Sequence, residues 1–133
     1  MPTRRSAHAK VTVNEARSTP YDRGDGPELV ELALQETFTG DMDGESTVRA
    51  LQARSGDGSA TMLSMQRFDG QLGGRRGTFV LQGSAVVEGD RIKATWFVVP
   101  GSGTGELAGL RGDGGFGGAF GQGSDATLDY RFE

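Results

Sequence analysis

Apolar and polar residues alternate with a period of two along most of this 133-residue chain. Such alternation gives a β-strand one apolar face, whereas an amphipathic helix needs a period of 3.6. About eight strands are therefore expected. The clearest are Val30–Phe38, Phe79–Val87, Ile92–Val98 and Ala126–Phe132. The weaker ones are Ala9–Asn14, Ser46–Ala53, Ser59–Phe68 and Thr104–Leu110.

The intervals between these segments have the composition of tight turns. The chain contains 23 glycines, and they often stand beside Asp or Ser between two alternating segments. Regularly spaced short strands are typical of a sandwich or a barrel, and a barrel leaves no open sheet edge. We therefore predict an all-β fold: a single antiparallel eight-stranded barrel formed by residues 9–133. Residues 1–8 are expected to form a disordered tail, and Phe116–Gln122 a mobile loop.

The glycine-rich segment Val98–Gly115 contains Gly103-Thr-Gly105-Glu-Leu-Ala108, which fits the G-x-G-x-x-G/A pattern of dinucleotide-binding loops. That loop must be followed by a helix whose N-terminus holds the pyrophosphate. The glycines downstream each cost about 1 kcal/mol in a helix interior, so no helix is expected there. The segment is interpreted instead as a strand end, a turn and a further strand.

Composition excludes several classes of function. The net charge of −4 and the pI near 5.0 argue against nucleic-acid binding. The chain has no cysteine, and its single histidine, His8, lies in the expected tail, so thiol, serine–histidine and zinc chemistry are not expected. Asp41-Met-Asp43-Gly44-Glu45 is too short a ligand series for a calcium loop. Since neither a secretory signal nor a membrane-spanning stretch is present, a cytoplasmic protein without membrane contact is expected.

Four blocks of the sequence are similar to the signature blocks of one bacterial domain-of-unknown-function family, assigned to the allene-oxide-cyclase-like barrel superfamily. The blocks are Phe38–Ser46, Arg67–Gln82, Val98–Gly112 and Thr127–Tyr130, and the resemblance runs from about Val11 to Phe132. It implies an eight-stranded antiparallel barrel, lipocalin-like in outline, with an apolar central cavity. Superfamily relatives include plant allene oxide cyclase and cyclases of bacterial natural-product pathways, which bind a flexible apolar substrate and fix its conformation.

Two hypotheses of function follow. The first is a cofactor-independent cyclase or isomerase that folds an apolar, polyketide- or lipid-like intermediate inside the barrel. Fixing a reactive conformation contributes on the order of 7–11 kcal/mol to catalysis and needs no metal or cofactor. The second is a non-catalytic carrier or sensor barrel, or one whose interior is packed, since eight strands are just wide enough for either. A homo-oligomer formed through the outer-face residues Phe97 and Val99 is a further expectation.

Glu36 and Glu106 are the candidate catalytic residues. Glu36 shares the parity of the apolar residues of its strand, so its carboxyl is expected to point inward, where burial raises a pKa. The alternative for Glu36 is a position at the barrel rim, and for Glu106 an ion pair with a nearby arginine. Candidate ligand-binding residues come from the apolar faces and from two amides: Trp96, Gln66, Gln82, Met62, Phe68, Phe79 and Tyr130.

Overall fold

The computed structural model describes residues 3–119 and 124–133. These residues form eight β-strands and one 3₁₀ turn, Gly105–Leu107. The strands are β1 (Arg5–Asp22), β2 (Glu28–Gly40), β3 (Met42–Arg54), β4 (Ala60–Leu72), β5 (Arg75–Glu88), β6 (Arg91–Val98), β7 (Leu110–Ala119) and β8 (Ser124–Phe132).

Each strand pairs antiparallel with the next, and β8 pairs with β1, so the sheet closes into a barrel. The predicted all-β, eight-stranded antiparallel barrel is confirmed. We call the end with the β2–β3 and β4–β5 turns the closed end. The opposite end, with the β1–β2 and β3–β4 turns, is the open end.

Aromatic and aliphatic side chains fill the closed end. Phe68 packs edge-on against Phe38, with ring centroids 5.3 Å apart, and against Phe79 at 5.0 Å. Leu107, from the 3₁₀ turn, is fully buried in the same cluster and lies across the end of the barrel. The alternation of the sequence thus places its large apolar residues in one contiguous core at this end.

Two glycines that face each other allow a close approach of β3 and β4. Gly44 of β3 lies directly opposite Gly70 of β4. A Cβ atom on Gly44 would collide with the carbonyl oxygen of Asp69, and one on Gly70 with that of Asp43. Glycine is required at both positions because any side chain would push the two strands apart.

The segment Val98–Gly115 folds differently from the prediction. Thr104–Leu110 is not a strand: its central part is the 3₁₀ turn, and β7 starts only at Leu110. Upstream of the turn, the Ser102 and Thr104 hydroxyls accept hydrogen bonds from the backbone N–H groups of Val80 and Thr78. The segment is therefore tied to β5 before it reaches β7.

Two regions predicted to lack structure belong to strands. Arg5–His8, expected in the tail, are the start of β1, and Arg5 pairs with Tyr130 of β8. Phe116–Ala119, expected in a loop, end β7, while residues 120–122 of that predicted loop, like residues 1–2 of the predicted tail, lie outside the described residues. These corrections arise because pairing with a neighbouring strand orders segments whose own sequences are weakly apolar.

β1 extends beyond the closed part of the barrel. It pairs with β8 only from Arg5 to Val11, whereas it pairs with β2 from Ala9 to Asp22. We call Thr12–Asp22 the β1 overhang. Among the described residues, β2 is the only neighbour of the overhang, so closure does not pair both edges of β1 along its whole length there.

Candidate functional site

Part of the interior between the packed cluster and the open end is only partly covered, although Val30, Ala60 and Val87 near that end are buried. Inward-facing side chains that remain partly exposed define what we call the mouth of the barrel: Leu32, Leu34, Glu36, Met62, Ser64, Ile92 and Phe116. Their neighbours on β3 and β5, including Val48 and Ala85, are buried. The mouth is therefore a mainly apolar recess above the packed core.

Glu36 is the charged residue of this recess. It lies between Leu34 and Phe38 on the inward face of β2, opposite Ser46 of β3 and Val13 of β1. Burial raises the pKa of the Glu36 carboxyl from about 4.5 to about 7. Because a low-dielectric environment disfavours the charged form, this carboxyl is about half protonated at neutral pH. The predicted inward direction and raised pKa of Glu36 are both found.

Gln66 lies on β4, two strands away from Glu36, and is linked to the Glu36 position through Ser46 of β3. The Ser46 hydroxyl, directly opposite Glu36, donates a 2.6 Å hydrogen bond to Oε1 of Gln66, which is 4% exposed. Every fully buried side-chain nitrogen and oxygen in the described residues has a hydrogen-bond partner. Within those residues, neither the Glu36 carboxyl nor Nε2 of Gln66 makes a side-chain hydrogen bond, so both reach the solvent in the mouth.

Trp96 forms the floor of the mouth. Its ring packs between Phe38 and Phe116, with centroid distances of 6.2 and 5.2 Å. Its Nε1 donates a 3.0 Å hydrogen bond to the Thr127 carbonyl of β8, two strands away. The indole reaches across β7 because Gly114, which lies opposite Trp96, has no side chain.

Replacing Trp96 by phenylalanine is expected to lower the free energy of unfolding by about 1–2 kcal/mol, because the indole donor to Thr127 is lost from a buried site. Urea denaturation followed by far-UV circular dichroism measures the effect, since the variant has no tryptophan left to follow. Unchanged stability would show that the hydrogen bond across β7 contributes nothing.

Two predicted site residues lie outside the barrel. Glu106 is exposed on the 3₁₀ turn and accepts a hydrogen bond from the backbone N–H of Arg76 at 3.2 Å. It does not share a strand face with Leu110, because the turn replaces the predicted strand. Gln82 is exposed on the outer face of β5, between Met65 and Phe97. Neither side chain faces the mouth.

The remaining predicted ligand-binding residues divide between core and rim. Phe68, Phe79 and Tyr130 belong to the packed core. Met62 borders a cleft of about 380 Å³ that is lined mostly by outward-facing side chains such as Leu51, Leu63 and Val86. That cleft and a second one of about 480 Å³ beside Ile92 and Lys93 are both open to the surface, and the central cavity that the resemblance implies is not shown by the described residues.

Sequence reasoning missed two polar residues of the interior, Ser46 and Gln52. Both share the inward parity of Val48 and Ala50 on β3, and Gln52 accepts a 2.6 Å hydrogen bond from Nε of Arg54. The signal was available in the alternation, since a polar residue at an apolar parity requires a buried partner. What the sequence does not contain is the partner: Gln66 lies on another strand, 20 residues away.

Neither a metal site nor a membrane-spanning helix occurs in the described part of the chain. No group of three or more His, Cys, Asp or Glu side chains among residues 3–119 and 124–133 is placed to hold a metal ion. In the same residues, no helix is long and apolar enough to cross a membrane.

Comparisons with known proteins agree with this architecture. The chain shares 29% identity and a TM-score of 0.77 with the crystal structure of a protein of unknown function, from the DUF3224 family, of Shewanella oneidensis MR-1. That similarity covers 100% of this chain and 98% of the other. No curated protein matches the chain. The wider allene-oxide-cyclase-like superfamily stays a prediction. The sequence profile described as "Protein of unknown function (DUF3224)" matches residues 7–132, and the chain therefore belongs to the DUF3224 family.

Proposed function

We propose that the mouth of the barrel binds a small, mainly apolar molecule, and that Glu36 moves a proton to or from it as a cofactor-independent isomerase or cyclase does. The observation that carries the proposal is the Glu36 carboxyl, which lies in an apolar recess with a pKa near 7 and without a hydrogen-bond partner among the described residues. A general acid or base works best when its pKa lies near the working pH.

Gln66 supports the same assignment. Since Ser46 holds its Oε1, the orientation of the amide is fixed, and Nε2 is left to donate to an oxygen of the ligand. A fixed donor beside a carboxyl is the arrangement that stabilises an enolate while a proton leaves the neighbouring carbon. The ligand class that fits is an apolar ketone or ester with an acidic C–H next to its carbonyl.

Binding is tested with N-phenyl-1-naphthylamine, a neutral apolar probe. Trp96 is the only tryptophan of the chain and lies under the mouth, so energy transfer from it to the probe reports occupancy there. We expect saturable binding with quenching of Trp96, and its loss when Leu34→Arg places a charge in the mouth. Probe binding that leaves Trp96 fluorescence unchanged would contradict a site in the mouth.

Proton transfer is tested with 3-cyclohexen-1-one, whose conversion to the conjugated enone removes one proton from the α carbon and returns one to the γ carbon. The expected rate rises with pH and levels off above about 7, as the Glu36 carboxyl ionises. Glu36→Gln should abolish the acceleration, while Glu31→Gln, an exposed outward residue of the same strand, should leave it unchanged. Probe binding without acceleration would favour the non-catalytic carrier.

A further inference from the structure

The β1 overhang has a sheet edge without a neighbouring strand among the described residues. Beyond Val11, β1 has no described neighbour on the side away from β2, and the side chains from Thr12 to Thr19 are exposed. Unpaired backbone N–H and C=O groups along an edge are a template for pairing with another strand. The overhang also carries an apolar side chain, Val13, that is 51% exposed.

Pro20 shows which backbone groups point outward. It lies opposite Val30, and since it has no N–H, it cannot complete the hydrogen-bonded kind of antiparallel pair. The pairs Ser18–Leu32 and Ala16–Leu34 lie two and four residues further along the same ladder, so they are of the same kind. Ala16 and Ser18 therefore direct both backbone groups away from β2, while Pro20 offers only its carbonyl and limits the usable edge.

The two charged residues on either side of Ala16 have opposite signs, so this segment is complementary to the same segment of a second copy. Glu15 and Arg17 are exposed, and neither has an ion-pair partner among the described residues. If a second β1 lies antiparallel with Ala16 opposite Ala16, then Glu15 of each copy faces Arg17 of the other. Cross-strand pairs of opposite charge stabilise a sheet, whereas like charges placed opposite each other destabilise it.

We propose that two copies of this chain pair through their β1 overhangs in an antiparallel register centred on Ala16. The arrangement is two-fold symmetric, as the commonest protein dimers are. It gives the outward backbone groups of Ala16 hydrogen-bond partners and forms two identical Glu15–Arg17 ion pairs. The interface is independent of any chemistry in the mouth.

Charge reversal tests this register by sedimentation equilibrium at low ionic strength, over a range of protein concentrations. Wild type should dimerise, and Glu15→Arg or Arg17→Glu alone should weaken the dimer by about tenfold or more, because each creates two like-charge contacts. The double variant, Glu15→Arg with Arg17→Glu, should restore it. A mixture of the two single variants should form heterodimers, since their charges are complementary.

Arg67→Glu is the matched control, because it makes the same change of charge at an exposed position of β4 and should leave the dimer intact. Far-UV circular dichroism confirms that each variant is folded. A wild type that stays monomeric at every concentration would overturn the proposal. A dimer whose stability is unchanged by either single charge reversal would also overturn the proposal. An outer-face interface at Phe97 would then be tested with Phe97→Glu.

Discussion

The Glu36→Gln variant is expected to unfold at pH 8 with a free energy as much as about 3 kcal/mol higher than that of the wild type. The reason is that burial raises the pKa of the Glu36 carboxyl from about 4.5 to about 7, so the folded protein disfavours its charge. Glutamine keeps the shape and the polar end of the side chain but never ionises. The variant therefore removes the destabilisation that the carboxylate causes.

The sign of the effect defines its pH window. Below pH 4.5 the carboxyl is protonated in both folded and unfolded chains, and the two proteins should differ little. Between pH 4.5 and 7 the unfolded chain releases the proton while the folded chain keeps it, so the wild type loses stability relative to the variant. Above pH 7 both states are ionised, and the difference stays constant.

Urea unfolding of both proteins at pH values from 4 to 8 measures this difference. Glu31→Gln, at an exposed position of the same strand, is the control and should show no comparable pH-dependent gain. An equal difference at pH 4 and pH 8 would mean that the gain comes from packing and that the Glu36 carboxyl titrates normally. The result also bears on function, because a carboxyl with an ordinary pKa is a poor proton donor at neutral pH.

Phe68→Ala is expected to lower the free energy of unfolding by about 3–5 kcal/mol. Phe68 is fully buried and packs against Phe38 and Phe79 at the centre of the closed end. Its removal loses the transfer free energy of the ring and leaves a cavity, which a closed sheet has little freedom to collapse. A loss of this size is a large part of the total stability of a domain, about 5–15 kcal/mol.

The comparison variant is Phe97→Ala, which truncates the same side chain on the outer face of β6, where it is 42% exposed. Urea denaturation of both variants is carried out at 15 °C, so that the free energy of unfolding of the less stable variant can still be measured. The loss for Phe68 should exceed that for Phe97 several-fold. Similar losses for the two would contradict the placement of Phe68 in the core and of Phe97 on the surface.

The alternation of apolar residues along the sequence predicted most of the side chains that face the interior of the barrel. For β2, β5, β6 and β8, the residues predicted to share one face are the ones that face inward, because side-chain direction alternates strictly along a strand. β7 was missed, since five of its ten residues are glycine and leave no alternation to detect. The 3₁₀ turn was missed because Thr104, Glu106, Ala108 and Leu110 alternate as a weak strand would, whereas the buried residue of the turn is Leu107.

The candidate site was only partly predictable, because alternation along one strand gives the direction of a side chain but not its contacts with other strands. Parity along one strand is enough to place Glu36 inward, and it also places Gln82 outward, on the face opposite to Phe79 and Leu81. Parity does not show that Ser46 bonds Gln66, since that depends on the register between β3 and β4. Nor does it show how deeply a carboxyl is buried, which sets its pKa.

By itself, the sequence determined the all-β class, the inward faces of β2, β5, β6 and β8 and the inward direction of Glu36, because these depend on local alternation and turn chemistry. Only the tertiary structure decided that the large aromatic cluster lies at the closed end, and that β1 extends past its pairing with the described part of β8. Those features depend on the length and register of strands far apart in the chain. Local residue preferences specify neither the length nor the register of these strands, since both depend on how the whole sheet closes.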